Sequence, residues 1–234
     1  MNILKITKAL FKNTFFFFDL FLWFKIYKNF PKQIGINEKW ITPKKNLYVL
    51  RKLIKIYKPK KIIEFGSGIG LSSQNIVDQM SQNCEFIGIE NNEDCINQSQ
   101  NRTKKFNKNI NFIRSDLEIS KDKINAETLI YNYSKSGNFK DIDLVYIDGP
   151  SFYLNEKKQF FTQMVRGDIF NIYNQLKPGC IIVLDGSFIT QKNIIRFCKS
   201  IEFLGIYKTF AFKITKTDEL EDLTYKKLKL WGYL

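Results

Sequence analysis

The 234-residue chain carries 37 Lys and Arg residues against 23 Asp and Glu, a formal net charge of +14, and its hydrophobic content of 44% is sufficient for a globular core. The sequence contains no histidine, which excludes Ser-His-Asp and Cys-His catalysis. Its four widely spaced cysteines form no C-x-x-C pair and so give no support for a zinc site. Cys84 and Cys180 stand in apolar runs and are expected to be buried free thiols, which fits a reducing cytoplasm.

Positive charge is concentrated at the start of the chain. Residues 1–61 contain 15 basic and two acidic residues, whereas the remainder contains 22 basic and 21 acidic residues. Such an asymmetry predicts an anionic partner for the first quarter, and a membrane surface, nucleic acid and an acidic substrate all fit.

Residues 1–41 are predicted to form a basic, aromatic-rich helical extension. The apolar run 14–24 has eleven residues and contains Asp19, whereas a membrane-spanning helix needs about 20 apolar residues. No small-residue cleavage site follows it, so no secretory signal is expected. A helix over 5–19 would place its lysines on one narrow face and apolar side chains on the rest. Two interpretations stay open: residues 1–32 contact an anionic membrane peripherally, or the helix covers its own domain or a homodimer partner.

A second unit, residues 42–234, begins with a helix. Thr42 and Pro43 suit the N-cap and first helical position, and the helix is expected to end before Pro59. From residue 61 onward, strands and helices alternate. The strands are predicted at 62–65, 85–90, 110–114, 143–148 and 180–185, with an edge strand at 128–133. The intervening helices are predicted at 72–82, 94–105, 160–176 and 190–200. Near-continuous apolar strands separated by helices indicate a parallel sheet covered on both faces.

Two further strands are predicted near the C-terminus. They cover residues 205–215 and 223–231, and an acidic turn at 218–222 is expected to join them. The expected result is a seven-stranded sheet with an antiparallel C-terminal strand.

A glycine-rich turn follows the first strand. Gly66, Gly68 and Gly70 come directly after Glu64-Phe65. Glycines at this spacing let the backbone turn sharply and approach a ligand. The helix behind them points unpaired N–H groups at the same place. In open α/β sheets, ligands bind outside the carboxyl ends of the strands.

Acidic residues stand at the ends of all five central strands. They are Glu64, Glu90, Asp116, Asp148 and Asp185. A dinucleotide fold requires a third glycine where this chain has Leu71, and an acidic edge without Lys or Arg would repel a pyrophosphate. The sequence therefore favours a cationic ligand.

With these landmarks, residues 42–231 resemble the class I S-adenosylmethionine-dependent methyltransferases. The family's E/D-x-G-x-G-x-G pattern is matched at 64–70, its ribose-binding acid at Glu90, and its polar residue with Asp after the third strand at 115–116. The D-x-V-x-I-D fourth strand and the L-K-P-G turn are matched at 143–148 and 176–179.

This resemblance implies a Rossmann-like three-layer α/β sandwich and S-adenosylmethionine as cofactor. The residues it assigns to cofactor binding are Glu64, Phe65, Gly66, Ser67, Gly68, Ser72, Glu90, Asn91, Ser115, Asp116 and Asp148.

Within the class, the helix before the first strand and the 146–150 sequence look most like small-molecule or glycan O-methyltransferases. Methyltransferases of nucleic-acid bases use [DNS]-P-P-[YFW], from which the 148–151 sequence D-G-P-S departs. A hydroxyl acceptor must lose its proton, and without histidine the base is a carboxylate or a lysine. The family meets its acceptor near Asp148, so Asp148 is the first candidate base and Asp185 the second. Alternatively, Asp148 only caps its turn and orients the cofactor.

Neither a metal ligand nor a role for Arg166 is assigned from the sequence. Catechol-type relatives hold magnesium with an Asp after strand four and an Asp-Asn pair after strand five. Asp148 and Asp185 match two of these ligands, but Gly186 replaces the Asn. Arg166 is interpreted as a solvated arginine on a helix face, with contact to an anionic acceptor as the alternative.

The sequence thus predicts a cytoplasmic enzyme that methylates a hydroxyl of a sugar, glycan precursor or other small molecule, and it lies at the membrane surface if the first interpretation of residues 1–32 holds. One alternative is an RNA methyltransferase that grips nucleic acid with its basic N-terminal region. That is less favoured, because the region is aromatic-rich and poor in arginine. The other alternative is a non-catalytic, cofactor-binding protein at the membrane.

Overall fold

The computed structural model describes residues 44–124, 126–150, 164–204 and 210–223. The predicted extension at residues 1–41 and most of the predicted strand at 223–231 lie outside these ranges, so both stay predictions. No helix in the described ranges has the length and apolarity needed to cross a membrane.

The described chain alternates between strands and helices over most of its length. The helices are α1 (Lys44–Tyr57), α2 (Leu71–Gln79), α3 (Glu93–Thr103), α4 (Tyr133–Ser136), α5 (Asp168–Ile172) and α6 (Phe188–Phe197). The strands are β1 (Lys61–Phe65), β2 (Glu85–Glu90), β3 (Asn109–Arg114), β4 (Leu117–Ser120), β5 (Thr128–Tyr131), β6 (Leu144–Ile147), β7 (Val165–Arg166), β8 (Ile181–Leu184), β9 (Ile201–Phe203) and β10 (Phe210–Ile214).

The main sheet has seven strands in the order β3-β2-β1-β6-β8-β10-β9. Neighbours from β3 to β8 are parallel, and β10 is antiparallel to both β8 and β9. This confirms the predicted mostly parallel, seven-stranded sheet. From β1 the strand order runs one way to β2 and β3 and the other way to β6 and β8. Such sheets bind ligands in the crevice at this reversal, outside the carboxyl end of β1.

The core lies on both faces of this sheet, as the continuous apolar strands predict. Ile62 and Ile63 are adjacent in β1 but pack into opposite clusters. One cluster contains the α1 stripe Leu47, Leu50, Leu53 and Ile54. Tyr57, which the helical spacing also places on that stripe, is instead 40% exposed at the end of the helix. The packing gives the three layers of the predicted fold.

A second, three-stranded sheet contains β5, within the edge strand predicted at 128–133, and corrects the helix predicted at 160–176 over its described residues. Its order is β4-β5-β7, and from residue 164 the chain forms β7 and the short α5 instead of one continuous helix. Gly167 explains the difference. Its N–H donates to the Leu129 carbonyl at 2.8 Å, and a Cβ there would lie 2.5 Å from the Thr128 side chain. Pairing with β5 therefore holds this segment extended.

The C-terminal hairpin is formed by β9 and β10, so the strand predicted at 205–215 is confirmed only over Phe210–Ile214. The acidic segment 218–222 contacts α6 and the residues that follow it. Asp222 accepts two hydrogen bonds from Arg196, and Glu221 accepts one from Lys199 at 2.7 Å. Their ion pairs hold these residues against the end of α6. The strand that they were predicted to join to the hairpin lies mostly outside the described residues, so that prediction stays untested.

Candidate active site

The glycine turn after β1 has the close backbone packing that its sequence requires. Gly66 has φ +85°, and a Cβ there would lie 2.3 Å from the Gly149 Cα. Gly70 has φ +83°, and its Cβ would lie 2.6 Å from the Ser99 Cα. Gly68, at φ +50°, has open space beside it. Gly66 and Gly70 therefore serve packing, whereas Gly68 leaves room for a ligand.

Glu90 ends β2 directly beside this turn and is 6% exposed. One carboxylate oxygen accepts the Gly68 N–H at 2.8 Å. The other accepts the N–H groups of Asn91 at 2.9 Å and Asn92 at 3.2 Å. A carboxylate can accept about four hydrogen bonds, so capacity for a ligand hydroxyl remains.

Glu64 lies fully buried beneath the turn. Ser73 Oγ donates to its Oε2 at 2.5 Å, while Oε1 is buried without a hydrogen-bond partner in the described structure. Burial raises the pKa of Glu64 to about 8. Hydrogen bonds from Ser72 and Ser73 oppose this rise, and the charges of Asp148 and Glu90 add to it. Glu64 is therefore largely protonated at neutral pH.

Phe65 and Ser67 join the turn to its neighbours on either side. The Phe65 carbonyl accepts the N–H groups of Asp148 at 3.0 Å and Gly149 at 2.8 Å. Ser67 N–H donates to the Ile89 carbonyl at 3.2 Å. Its Oγ is buried and has no partner among the described residues. The turn thus presents one unsatisfied hydroxyl and, from Glu64, one unsatisfied carboxyl oxygen.

The two residues predicted after the third strand differ in exposure. Ser115 is buried, and its Oγ accepts the Tyr133 N–H at 2.9 Å. The Asp116 side chain is 75% exposed and lies 3.5 Å from Arg114. Ser115 N–H donates to the Glu90 carbonyl at 2.9 Å. Ser115 therefore lies against the Glu90 strand end, whereas the Asp116 side chain faces solvent.

Asp148 and Asp185 follow the neighbouring strands β6 and β8. Asp185 is 6% exposed, and its carboxylate accepts hydrogen bonds from Asn46 Nδ2 and, at 3.4 Å, from the Tyr146 hydroxyl. Burial and then the charge of Asp148 raise the pKa of Asp185 to about 7, while Arg166 and the two hydrogen bonds oppose the rise. The structure therefore brings both candidate bases together.

Arg166 is not a solvated arginine on a helix face. It lies half-buried on β7, and its Nη1 donates to the carbonyls of Ile147 at 3.2 Å and Asp185 at 2.7 Å. The sequence-based interpretation was wrong because it assumed a helix through residue 166.

Two residues that sequence reasoning missed also lie at this edge. Asn46, on α1, contacts Asp185 across 139 residues of sequence. Tyr131 is buried and stacks on Phe65 at 6.3 Å between ring centroids. Its hydroxyl lies 3.0 Å from where a Gly149 Cβ would stand. Tyr131 falls within the edge strand predicted at 128–133, but no local signal places that strand against the glycine turn.

Of the five acids at the strand ends, Glu64, Glu90 and Asp185 are buried, Asp148 is half-buried and Asp116 is exposed. Across the described ranges, no group of three or more Cys, Asp or Glu side chains is placed to hold a metal ion. The row of carboxyl groups at the strand ends suits a cationic organic ligand. Asp185, whose carboxylate is held by hydrogen bonds from Asn46 and Tyr146, is suited to proton transfer.

Comparisons with known proteins agree with this geometry. A family model described as a methyltransferase domain matches residues 56–227. None of the curated proteins matches the sequence significantly.

Solved structures with the same fold include three methyltransferases. An O-methyltransferase from Bacillus cereus in complex with SAH is 12% identical, with 84% of this chain and 100% of that one covered and a TM-score of 0.51. The O-methyltransferase TomG from Streptomyces achromogenes, in complex with SAM, is 11% identical, with coverages of 76% and 83% and a TM-score of 0.52. SAH-bound PaMTH1 from Podospora anserina is 14% identical, with coverages of 86% and 88% and a TM-score of 0.52.

The family match spans most of the chain, and the sheet order and glycine turn accord with it. The chain therefore belongs to the methyltransferase-domain family and is a class I S-adenosylmethionine-dependent methyltransferase.

Proposed function

We propose that this enzyme transfers the methyl group of S-adenosylmethionine to a hydroxyl oxygen of a small molecule, such as a sugar or glycan precursor. The observation that carries the proposal is the line of carboxyl groups along one sheet edge, from Glu90 and Glu64 to Asp148 and Asp185. At the Glu90 end this line suits a cationic cofactor. At the Asp185 end it supplies a base whose pKa is about 7.

The cofactor end fits S-adenosylmethionine, which carries a sulfonium cation, an ammonium group and a ribose diol. Glu90, oriented by three backbone N–H groups, has acceptor capacity left for the diol. Ser67 Oγ and Glu64 Oε1 are buried at the turn without a hydrogen-bond partner among the described residues, so polar groups stay unsatisfied where the cofactor is proposed to bind. The residues proposed to bind the cofactor are Glu64, Phe65, Gly66, Ser67, Gly68, Ser72, Glu90, Asn91, Ser115, Asp116 and Asp148.

The acceptor end supplies positioning and proton transfer. When bound, the cofactor provides an electrophilic methyl group. The main task of the chain is then to hold the acceptor oxygen in line with it, which gives much of the rate gain. Asp148 is the proposed base that takes the hydroxyl proton, with Asp185 beside it as the second candidate. Burial and then the charge of Asp148 raise the pKa of Asp185 to about 7, so Asp185 can exchange a proton near neutral pH.

Calorimetric titration with S-adenosylmethionine tests the cofactor end. We expect Glu90→Gln to weaken binding at least tenfold, since a charge-assisted acceptor for the diol is lost. Glu85→Gln is the matched control, because Glu85 begins the same strand at the opposite edge of the sheet and pairs with Lys61. Its affinity should equal that of the native enzyme. Native enzyme that fails to bind, or Glu90→Gln that binds normally, contradicts the proposal.

A labelled-methyl assay tests the acceptor class. The native enzyme is incubated with labelled S-adenosylmethionine and separate panels of sugars, phenols and RNA, and the products are analysed by mass spectrometry. We expect O-methylated small molecules. Methylated RNA bases would favour the RNA alternative, and transfer to none of the panels would favour a non-catalytic cofactor-binding protein.

The proposed contact of residues 1–32 with an anionic membrane, and a homodimer formed through the same extension, stay predictions. They are supported by the lysines and aromatic residues of the extension. A cytoplasmic location is likewise expected from the four cysteines and their lack of a disulfide-like pattern.

A further inference from the structure

We propose that Arg166 is a positioning residue for the acceptor side of the active site. Its guanidinium joins the carboxyl ends of β6 and β8 and thereby fixes Asp148 and Asp185 relative to one another. This inference rests on the proposed function of those two carboxyl groups.

The first support is the position of the bridge at the end of the sheet ladder. Ile147 and Leu184 form the last register pair between β6 and β8. Beyond this pair, Asp185 N–H donates to the Ile147 carbonyl at 3.0 Å. Arg166 Nη1 then donates to that carbonyl and to the carbonyl of Asp185. The guanidinium thus takes the place of a further rung where the two strands would otherwise separate.

The second support is that Arg166 is itself held from two directions. Its backbone pairs with Leu129 of β5. Its N–H donates at 2.9 Å to Oγ1 of Thr190, a fully buried residue on α6. A guanidinium is planar and presents its donors in a fixed fork. With the backbone of Arg166 held on both sides, the guanidinium has a defined position from which to donate to the two strand-end carbonyls. Lysine has the charge but not this geometry.

The third support is the charge around the guanidinium. Asp168 and Asp185 both interact with it, and its positive charge opposes the rise in the pKa of each. Asp185 is also influenced by Asp148 from the end of β6, by Tyr146 on β6 and by Asn46 on α1. Because Arg166 already balances two buried acids and uses Nη1 on two carbonyls, positioning is favoured over binding of an anionic acceptor.

The test compares full-length Arg166→Met and Arg166→Lys with the native enzyme. The ¹³C signal of the Asp185 carboxyl, assigned with Asp185→Asn, is titrated by NMR, and amide exchange is measured at Asp185. In Arg166→Met we expect the proton affinity of Asp185 to rise about tenfold, which corresponds to about one pKa unit. Exchange at the Asp185 amide should also accelerate at least tenfold. In Arg166→Lys the proton affinity should return toward the native value while the amide exchange remains fast, since the charge is restored without the bridge.

Arg196→Met is the control. Arg196, on α6, makes an exposed, bidentate pair with Asp222. It should change neither readout. If both Arg166 variants show the same titration of the Asp185 carboxyl and the same exchange rate of the Asp185 amide as the native enzyme, the proposal is overturned. If Arg166→Met does not fold, native-like amide exchange in Arg166→Lys is sufficient to overturn it.

S-adenosylmethionine affinity, measured on the same samples, separates this inference from the proposed function. We expect the Arg166 variants to bind the cofactor within about threefold of the native enzyme, because Arg166 contacts the β6 and β8 ends and not the glycine turn. Failure of the native enzyme to bind it would contradict the proposed function, whereas the NMR result bears on Arg166 alone.

Discussion

The two halves of the active-site edge hold their carboxylates in different ways. On the cofactor side, Glu90 accepts hydrogen bonds from three backbone N–H groups. On the acceptor side, Asp185 accepts them from the side chains of Asn46 and Tyr146. Backbone donors follow from the turn and survive most substitutions, whereas side-chain donors depend on individual residues. If the two sides have their proposed roles, we therefore expect a few substitutions to change acceptor preference while cofactor binding is retained.

Gly66→Ala should have the largest effect, because Gly66 belongs to the cofactor side but packs against the acceptor side. An added Cβ would meet the Gly149 backbone at 2.3 Å, and φ is +85°. We expect a loss of more than about 4 kcal/mol in the free energy of unfolding, as strain and overlap combine. Urea denaturation measures this. Gly68→Ala, with open space beside it, should cost only about 1 kcal/mol, and equal losses in the two variants would refute the packing argument.

Glu64→Gln should alter how stability depends on pH. Native Glu64 holds its proton to about pH 8, whereas in the unfolded chain its pKa returns to 4.5. Between these values the folded state binds more protons, so the free energy of unfolding falls as pH rises. The glutamine variant should lose this part of the fall, on the order of 3 kcal/mol. Denaturation at pH 5 and pH 9 measures the difference, and a glutamine variant that keeps the full native fall would contradict the prediction.

Asp148→Asn separates the two halves by function. With the proposed base removed, methyl transfer to a hydroxyl acceptor should fall about 100-fold or more. S-adenosylmethionine affinity should change by less than about tenfold, because Glu90 and the glycine turn remain. Single-turnover rates and calorimetry give the two quantities. A variant that loses affinity but retains its rate once saturated would assign Asp148 to the cofactor side only.

Lys8→Gln should have the smallest effect and should change neither the cofactor side nor the acceptor side of the edge. If the extension contacts an anionic membrane, removal of one charge should weaken liposome binding by about 1 kcal/mol, roughly fivefold. Co-sedimentation of the full-length chain with anionic and neutral vesicles measures this, and cofactor affinity serves as the internal control. Equal binding to both vesicle types would contradict contact with an anionic membrane and favour a helix that covers its own domain or a homodimer partner.

The same contrast explains what the sequence could predict. The strands β1, β2, β3, β6 and β8 and the turn at Gly66 follow from local patterns, namely apolar runs and glycine spacing. Val165–Arg166 forms a strand only because Gly167 packs against Thr128, a contact between distant segments that no local pattern contains. The contact between Asn46 and Asp185 likewise joins segments that are distant in sequence. The strands, the glycine turn and the acids at the strand ends were therefore readable from the sequence, whereas the environment of Asp185 required the folded chain.

The contact between Gly66 and Gly149 also has a consequence for the size of the acceptor. These two turns touch through main-chain atoms, and the Phe65 carbonyl accepts N–H groups from both Asp148 and Gly149. A contact between main-chain atoms cannot be opened by exchanging side chains. Under the proposed function, we therefore expect differences in acceptor size to be accommodated along the β6 and β8 ends and not between these two turns.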